Sequence, residues 1–116
     1  NLNSVMRAEG SGQVIAELQV VPSPPGTSTS RWAHIDAAID AVATSRLRFE
    51  VGPLGTTFEG PPDALWGALR QAHEATLAAA ADGVITLIKL YQTRDPAAQA
   101  SMDDLASAHR PGRGAR

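Results

Sequence analysis

Four polar residues stand at alternating positions in two short runs. Glu17 and Gln19 lie two apart in "VIAELQVV" (14–21), and Thr57 and Glu59 lie two apart in "PLGTTFEG" (53–60). In an extended chain successive side chains point to opposite faces, so each pair shares a face. Glu17 and Glu59 are the candidate carboxylate pair, the arrangement used in general acid–base hydrolysis, but no sugar-cleaving groove accompanies them. Ser28, Thr29 and Ser30 offer hydroxyls at the expected start of a helix, where free N–H groups favour anions. Ordinary capping is the simpler role for each alone. "GTSTS" (26–30) lacks the lysine of a phosphate-cradling loop. His34, His73 and His109 share no metal-ligand spacing, and His73 and Glu74 are adjacent, so they leave a helix on different sides. No serine sits in a nucleophile elbow. Lys89 falls within an extended run, where it serves as a counter-ion or as an exposed strand lysine. No catalytic residue, metal site or cofactor is expected.

The bulk composition narrows the classes further. The 116 residues suit one compact domain, and 43% are hydrophobic, enough for a core. The formal charge of −2 gives no overall pull toward nucleic acid or an anionic membrane. The absence of cysteine excludes a disulfide framework, a thiolate metal site and cysteine catalysis. No apolar run approaches the ~20 residues of a membrane-spanning helix, and "NLNSVMRAEGSGQ" lacks the pattern of a signal peptide. A soluble cytoplasmic protein is expected, with Met6 as the native start, residues 1–12 disordered, a folded domain over 13–95, and a partly disordered tail over 96–116.

The elements that position these residues follow from periodicity. Residues 14–21 read as a strand with Ala16, Leu18 and Val20 on one face and Ile15, Glu17, Gln19 and Val21 on the other. "PSPPG" ends it. Trp32, Ile35, Ala38, Ile39 and Val42 recur at helical spacing, which predicts a helix capped by Ser28–Ser30 and ending near Thr44. "RLRFEV" (46–51) and "TTFEG" (56–60) form a hairpin across "GPLG". Phe49 and Phe58 are expected in the core, with Arg48, Glu50, Thr57 and Glu59 opposite. A second helix opens at "PPD" and buries Leu65, Leu69, Ala72 and Thr76, with Gly83 as its C-terminal cap. Residues 84–92 form the fourth strand, and residues 97–109 a short, loose helix around Met102 and Leu105.

The order strand–helix–strand–strand–helix–strand predicts an α+β, ferredoxin-like βαββαβ fold. Its four-stranded antiparallel sheet has order 4-1-3-2, with two helices on one face. Strands 1 and 3 are expected at the centre and parallel, so that both helices start at one rim, bracketed by Ser28–Ser30 and Pro61–Asp63. The uncovered face then carries Glu17, Gln19, Arg48, Glu50, Thr57 and Glu59, joined by Thr86. Such a face is either plain solvated sheet or, because Ile15 and Val21 lie on it, a pocket or subunit contact. RNA-recognition domains share the topology but stack bases on aromatics of strands 1 and 3. Those places hold Glu17, Gln19, Thr57 and Glu59; the negative charge of the two glutamates repels phosphate, and a nucleic-acid partner is excluded.

"AELQVVPSPPGTSTS", "PLGTTFEG", "ALRQAHEA" and "VITLIKL", in that order, resemble the small thiamine-binding, YkoF-like family over Val14–Asp95. "SPPG" departs from the shorter turn of the family. The resemblance implies the same ferredoxin-like fold and homodimers or homotetramers built through sheet faces. It also implies binding of thiamine or its hydroxymethyl-pyrimidine part, without established catalysis. The face argument selects Glu17, Gln19, Ser28, Thr29, Thr57 and Glu59 as ligand-binding residues. A carboxylate accepts from the amino group of the pyrimidine and offsets the thiazolium charge. The alternative is a small oligomeric enzyme of the monooxygenase or isomerase type, acting on an aromatic substrate in a cavity between sheet and helices.

Overall fold

The computed structural model describes residues 13–111; the expectation for residues 1–12 and the last part of that for the tail lie outside them. Alternating β-branched and aliphatic residues make β1, Val14–Ser23. Helix α1 spans Ala33–Thr44, β2 Arg48–Val51, β3 Thr56–Gly60, α2 Pro62–Ala78 and β4 Gly83–Tyr91. A 3₁₀ turn over Pro96–Ala98, helix α3 at Met102–Ala106 and a second 3₁₀ turn over Ser107–His109 follow. The sheet order is β2-β3-β1-β4, the expected order read from the other edge, and every neighbouring pair is antiparallel. This is the ferredoxin-like α+β arrangement. None of the described helices is long and apolar enough to cross a membrane.

One expectation about direction is corrected. β1 and β3 are adjacent and central, but antiparallel rather than parallel. The crossover through α1 leaves β2 parallel to β1, and the tight β2–β3 hairpin then reverses the chain. Gly60, which ends β3, lies beside Val14, which begins β1. The two helices therefore start at opposite ends of the sheet, and Ser28–Ser30 and Pro61–Asp63 share no rim.

The loop into α1 also differs from expectation. Trp32 occupies the N-cap position, without a side-chain hydrogen bond. The Pro25 carbonyl accepts from the N–H groups of His34 (2.9 Å) and Ile35 (3.4 Å), the donors a capping hydroxyl would have taken. Thr27 Oγ1 accepts from Ser30 N–H at 3.0 Å, tightening the loop on itself. Gly26 is required here: a Cβ would lie 2.3 Å from the Ser30 and Arg31 carbonyl oxygens. At the end of α2 the left-handed residue is Ala80, with φ 84°, and Gly83 instead begins β4.

The core fills the space between sheet and helices. Val14, Ala16, Leu18 and Phe58 meet Ala38 and Val42 of α1 and Leu65, Ala68, Leu69 and Ala72 of α2. The expected α2 stripe, Leu65, Leu69, Ala72 and Thr76, is buried throughout. Phe58 is fully buried, but Phe49, directly opposite it, is 39% exposed. β2 is an edge strand, and all four of its residues are exposed. Trp32 likewise stays exposed. Thr86 is a further correction. It pairs with Val20, which places it on the helix side, where His73 Nδ1 lies 2.6 Å from its hydroxyl. His34 is buried, with Nδ1 2.7 Å from the Pro24 carbonyl oxygen. Both histidines tie elements together.

Candidate functional site

Cross-strand partners share a face, so the register settles the open side of the sheet. Glu17 lies between Thr57 on β3 and Lys89 on β4, and Ile15 between Glu59 and Tyr91. Arg48 faces Glu59, and Glu50 faces Thr57. The six polar residues expected from β1, β2 and β3 are therefore on the open face.

The two candidate carboxylates have different surroundings. Glu17 is half exposed, and one oxygen lies 3.4 Å from Lys89 Nζ, whose side chain is largely in solvent. Glu59 accepts from the Met102 N–H at 2.8 Å and lies 3.7 Å from Arg48 Nη1, with its side chain mostly covered. Glu59 thus holds the first turn of α3 onto the sheet.

Residues 96–111 cover the open face over β2 and β3. Arg48 donates to both Asp103 carboxylate oxygens, and Arg110 donates to Asp103 Oδ1 at 2.6 Å and to Glu50 Oε1 at 2.8 Å. The hydrogen bonds from Arg48 and then Arg110 hold the Asp103 carboxyl well below the usual carboxylate range. The same bonds raise both arginines. Between this segment and the sheet lies a cavity of about 300 Å³. Its polar lining is Glu17, Glu50, Thr57 and Arg110, and Ile15, Leu54, Met102 and Leu105 are among its apolar lining. Such a lining suits an apolar body with a cationic or amino-bearing head, because the carboxylates accept and the side walls exclude water.

A second cavity, of about 340 Å³, opens on the helix side. Leu18, Val20, Trp32, Ile35 and Ile39 form its apolar wall, and Asp36 and Gln19 border it. The Gly52–Gly55 turn of the β2–β3 hairpin is common to both cavities. Glu17 and Thr57 come together in the open-face cavity, and Glu59 lies beside it, under α3. Gln19 stands opposite Leu87, beyond the last β1–β3 pair, and Ser28 and Thr29 are exposed in the loop before α1. Ser28 and Thr29 line neither cavity. The sequence reading missed Met102, Leu105 and Arg110 as cavity walls and Asp36 and Trp32 as the helix-side lining. Alternation had already put Glu50 on the right face. Met102 and Leu105 were expected on a short helix, but a five-residue helix has too few turns for its periodicity to say which surface it packs on. Among the described residues no three His, Cys, Asp or Glu side chains gather to hold a metal ion.

A family model for thiamine-binding proteins matches residues 16–109, so the likeness extends past Asp95 through the segment over the open face. A UPF0045 protein of Methanothermobacter thermautotrophicus is 39% identical over 84 residues, covering 71% of this chain and 83% of the relative. A UPF0045 protein of Clostridium perfringens is 30% identical over 73 residues, 63% of this chain and 75% of the relative. Among solved structures, a DUF77 domain from Bacillus cereus superposes with a TM-score of 0.74 at 33% identity, covering 87% of this chain and 93% of that one. A Thermotoga maritima protein named for thiamine biosynthesis or salvage gives 0.69 at 20% identity, over 84% and 99%, and speaks for the fold alone.

Proposed function

The chain belongs to the thiamine-binding protein family, and from that premise we propose that it is a non-catalytic cytoplasmic binder of thiamine or its hydroxymethyl-pyrimidine part. It acts as a carrier, buffer or salvage component, and the open-face cavity is its site. The observation that carries this reading is the pairing of Glu17 with Thr57 inside a cavity with apolar walls. The Glu17 carboxylate accepts from the pyrimidine amino group or offsets the thiazolium, and Thr57 supplies a hydroxyl to the ring nitrogens. Ile15, Leu54 and Met102 enclose the flat ring.

Glu17→Gln keeps the shape and removes the charge. A charge-assisted hydrogen bond contributes about 1.5–3 kcal/mol, so calorimetry is expected to show thiamine affinity weakened by roughly ten- to a hundredfold. The neutral pyrimidine fragment loses less if the carboxylate mainly offsets the thiazolium. Thiamine affinity equal to wild type in Glu17→Gln would place the ligand elsewhere.

The helix-side cavity favours a second reading: an oligomeric enzyme acting on a small aromatic substrate, with Asp36, which lines that cavity along with Trp32, as its acid–base group. Trp66 lies exposed on α2, so a Trp66→Phe protein reports on Trp32 by fluorescence. A ligand-induced change there, lost in Asp36→Asn, together with turnover of a small aromatic compound, would replace the first reading by this one.

A further inference from the structure

The segment over the open face is held to the sheet differently from the rest of the fold. Its buried apolar anchor is Met102, 4% exposed, whereas Leu105 on the same helix is mostly in solvent. The other ties are polar: Glu59 to the Met102 N–H, Arg48 to Asp103, Arg110 to Glu50, and, near the end of β4, Gln99 to the Tyr91 carbonyl and the Thr93 N–H. The side chains of Arg48, Asp103 and Glu50 are all substantially exposed. Exposed ion pairs hold weakly and are screened by salt. A segment with few buried apolar contacts opens at far lower free energy than the whole fold. Its helix meanwhile has its own support. Ser101 and Asp104 form a reciprocal capping box, which satisfies two N–H donors at the start of α3 from within the segment. Met102, Leu105, Ala106 and Arg110 are one wall of the open-face cavity, so detaching the segment turns a half-open cleft into an open shelf.

We propose that residues 96–111 form a latched roof over part of the open-face cavity, with Asp103 as the latch, and that lifting it widens the way in for ligand. The hinge is the stretch between Tyr91, where β4 ends, and the turn that begins at Pro96. Asp103 is the residue that both arginines grip, one from the sheet and one from the roof itself. Arg110 then joins the roof to Glu50, beside Thr57, so the latch and the ligand-facing residues are contiguous. This inference rests on the open-face cavity being the ligand site and concerns how that site is reached.

Amide hydrogen exchange followed by NMR tests it, with thiamine as the probe. The Met102 N–H donates to Glu59 and therefore reports on the roof. Its exchange is expected to be at least tenfold faster than that of the hydrogen-bonded amides of β1. Asp103→Asn, or added salt, is expected to speed it by roughly three- to tenfold with the β1 amides unchanged, and saturating thiamine to slow it. Exchange of Met102 at the β1 rate, in both wild type and Asp103→Asn, would overturn the roof. So would thiamine binding that leaves the Met102 rate unchanged while Glu17→Gln weakens that binding. If Glu17→Gln binds thiamine like wild type, the ligand-site reading fails first and the roof's entry role falls with it.

Discussion

Glu17 and Glu59 have the same chemistry, the same strand parity and the same face, yet they do different things. Glu17 keeps an oxygen on the cavity with Lys89 as a loose partner, while Glu59 is used up by a backbone N–H and an arginine. Alternation fixes which way a side chain points. It says nothing about what a distant segment lays on top of it. Phe49 and Phe58 repeat the point on the other face, since both point toward the helical layer and only Phe58 is buried. Phe58→Ala is expected to cost about 3–5 kcal/mol in urea unfolding, the range for a buried phenylalanine. Phe49→Ala should cost less than half as much. Equal losses would mean that the edge strand is covered in solution.

At the scale of elements, most of the architecture was legible. Strand and helix periods, the "GPLG" turn and the prolines opening α2 each marked what the structure contains. The direction of β3 relative to β1 was also available, because a hairpin must reverse the chain, and the reading of parallel central strands overlooked that. The capping of α1 was not legible, since the Pro25 carbonyl reaches those donors only once the 24–32 loop has closed around Gly26. Neither was the placement of α3, which depends on the buried Met102 and on polar contacts from the segment to Arg48, Glu50 and Glu59 of β2 and β3. These contacts carry a pH expectation. Asp103 is held below its ordinary value by Arg48 and Arg110. A carboxyl depressed in the folded state stabilises above its unfolded value, and that contribution is lost as pH falls through the folded one. The segment should therefore stay seated from neutral pH down to about 4 and loosen only in stronger acid. Acid titration followed at the Met102 amide checks this. Loosening already between about pH 7 and 5 would assign the hold to another group.

For the whole molecule, the open face is covered only in part. Over β1 and β4 it presents Val21 at 46% exposure, Ile85 at 68%, Leu87 at 51% and Tyr91 at 40%. These residues share that face with Glu17 and Gln19 by register. β4 is also an edge strand, and Ile88 and Leu90 are exposed on its other side. An apolar area of this kind on a sheet edge favours association. The protein is expected to be a dimer or tetramer by light scattering at micromolar concentration. A monomer mass at every concentration would count against a subunit contact on this face.

β1 is one of the two central strands and the first element of the described residues, yet its longest partner is the last strand among them. The ladder runs from Ile15 opposite Tyr91 to Ser23 opposite Gly83. During synthesis one edge of β1 therefore waits until almost the entire domain has left the ribosome. Closing such a ladder depends on a large loop closure before any pairing is gained, which slows folding relative to a chain of local contacts. The intervening helices and the β2–β3 hairpin are available earlier, and β3 can pair with β1 as soon as Gly60 has emerged. From then until β4 emerges, the nascent protein carries a three-stranded half-sheet with an open aliphatic edge, the state most exposed to mispairing with a neighbouring chain.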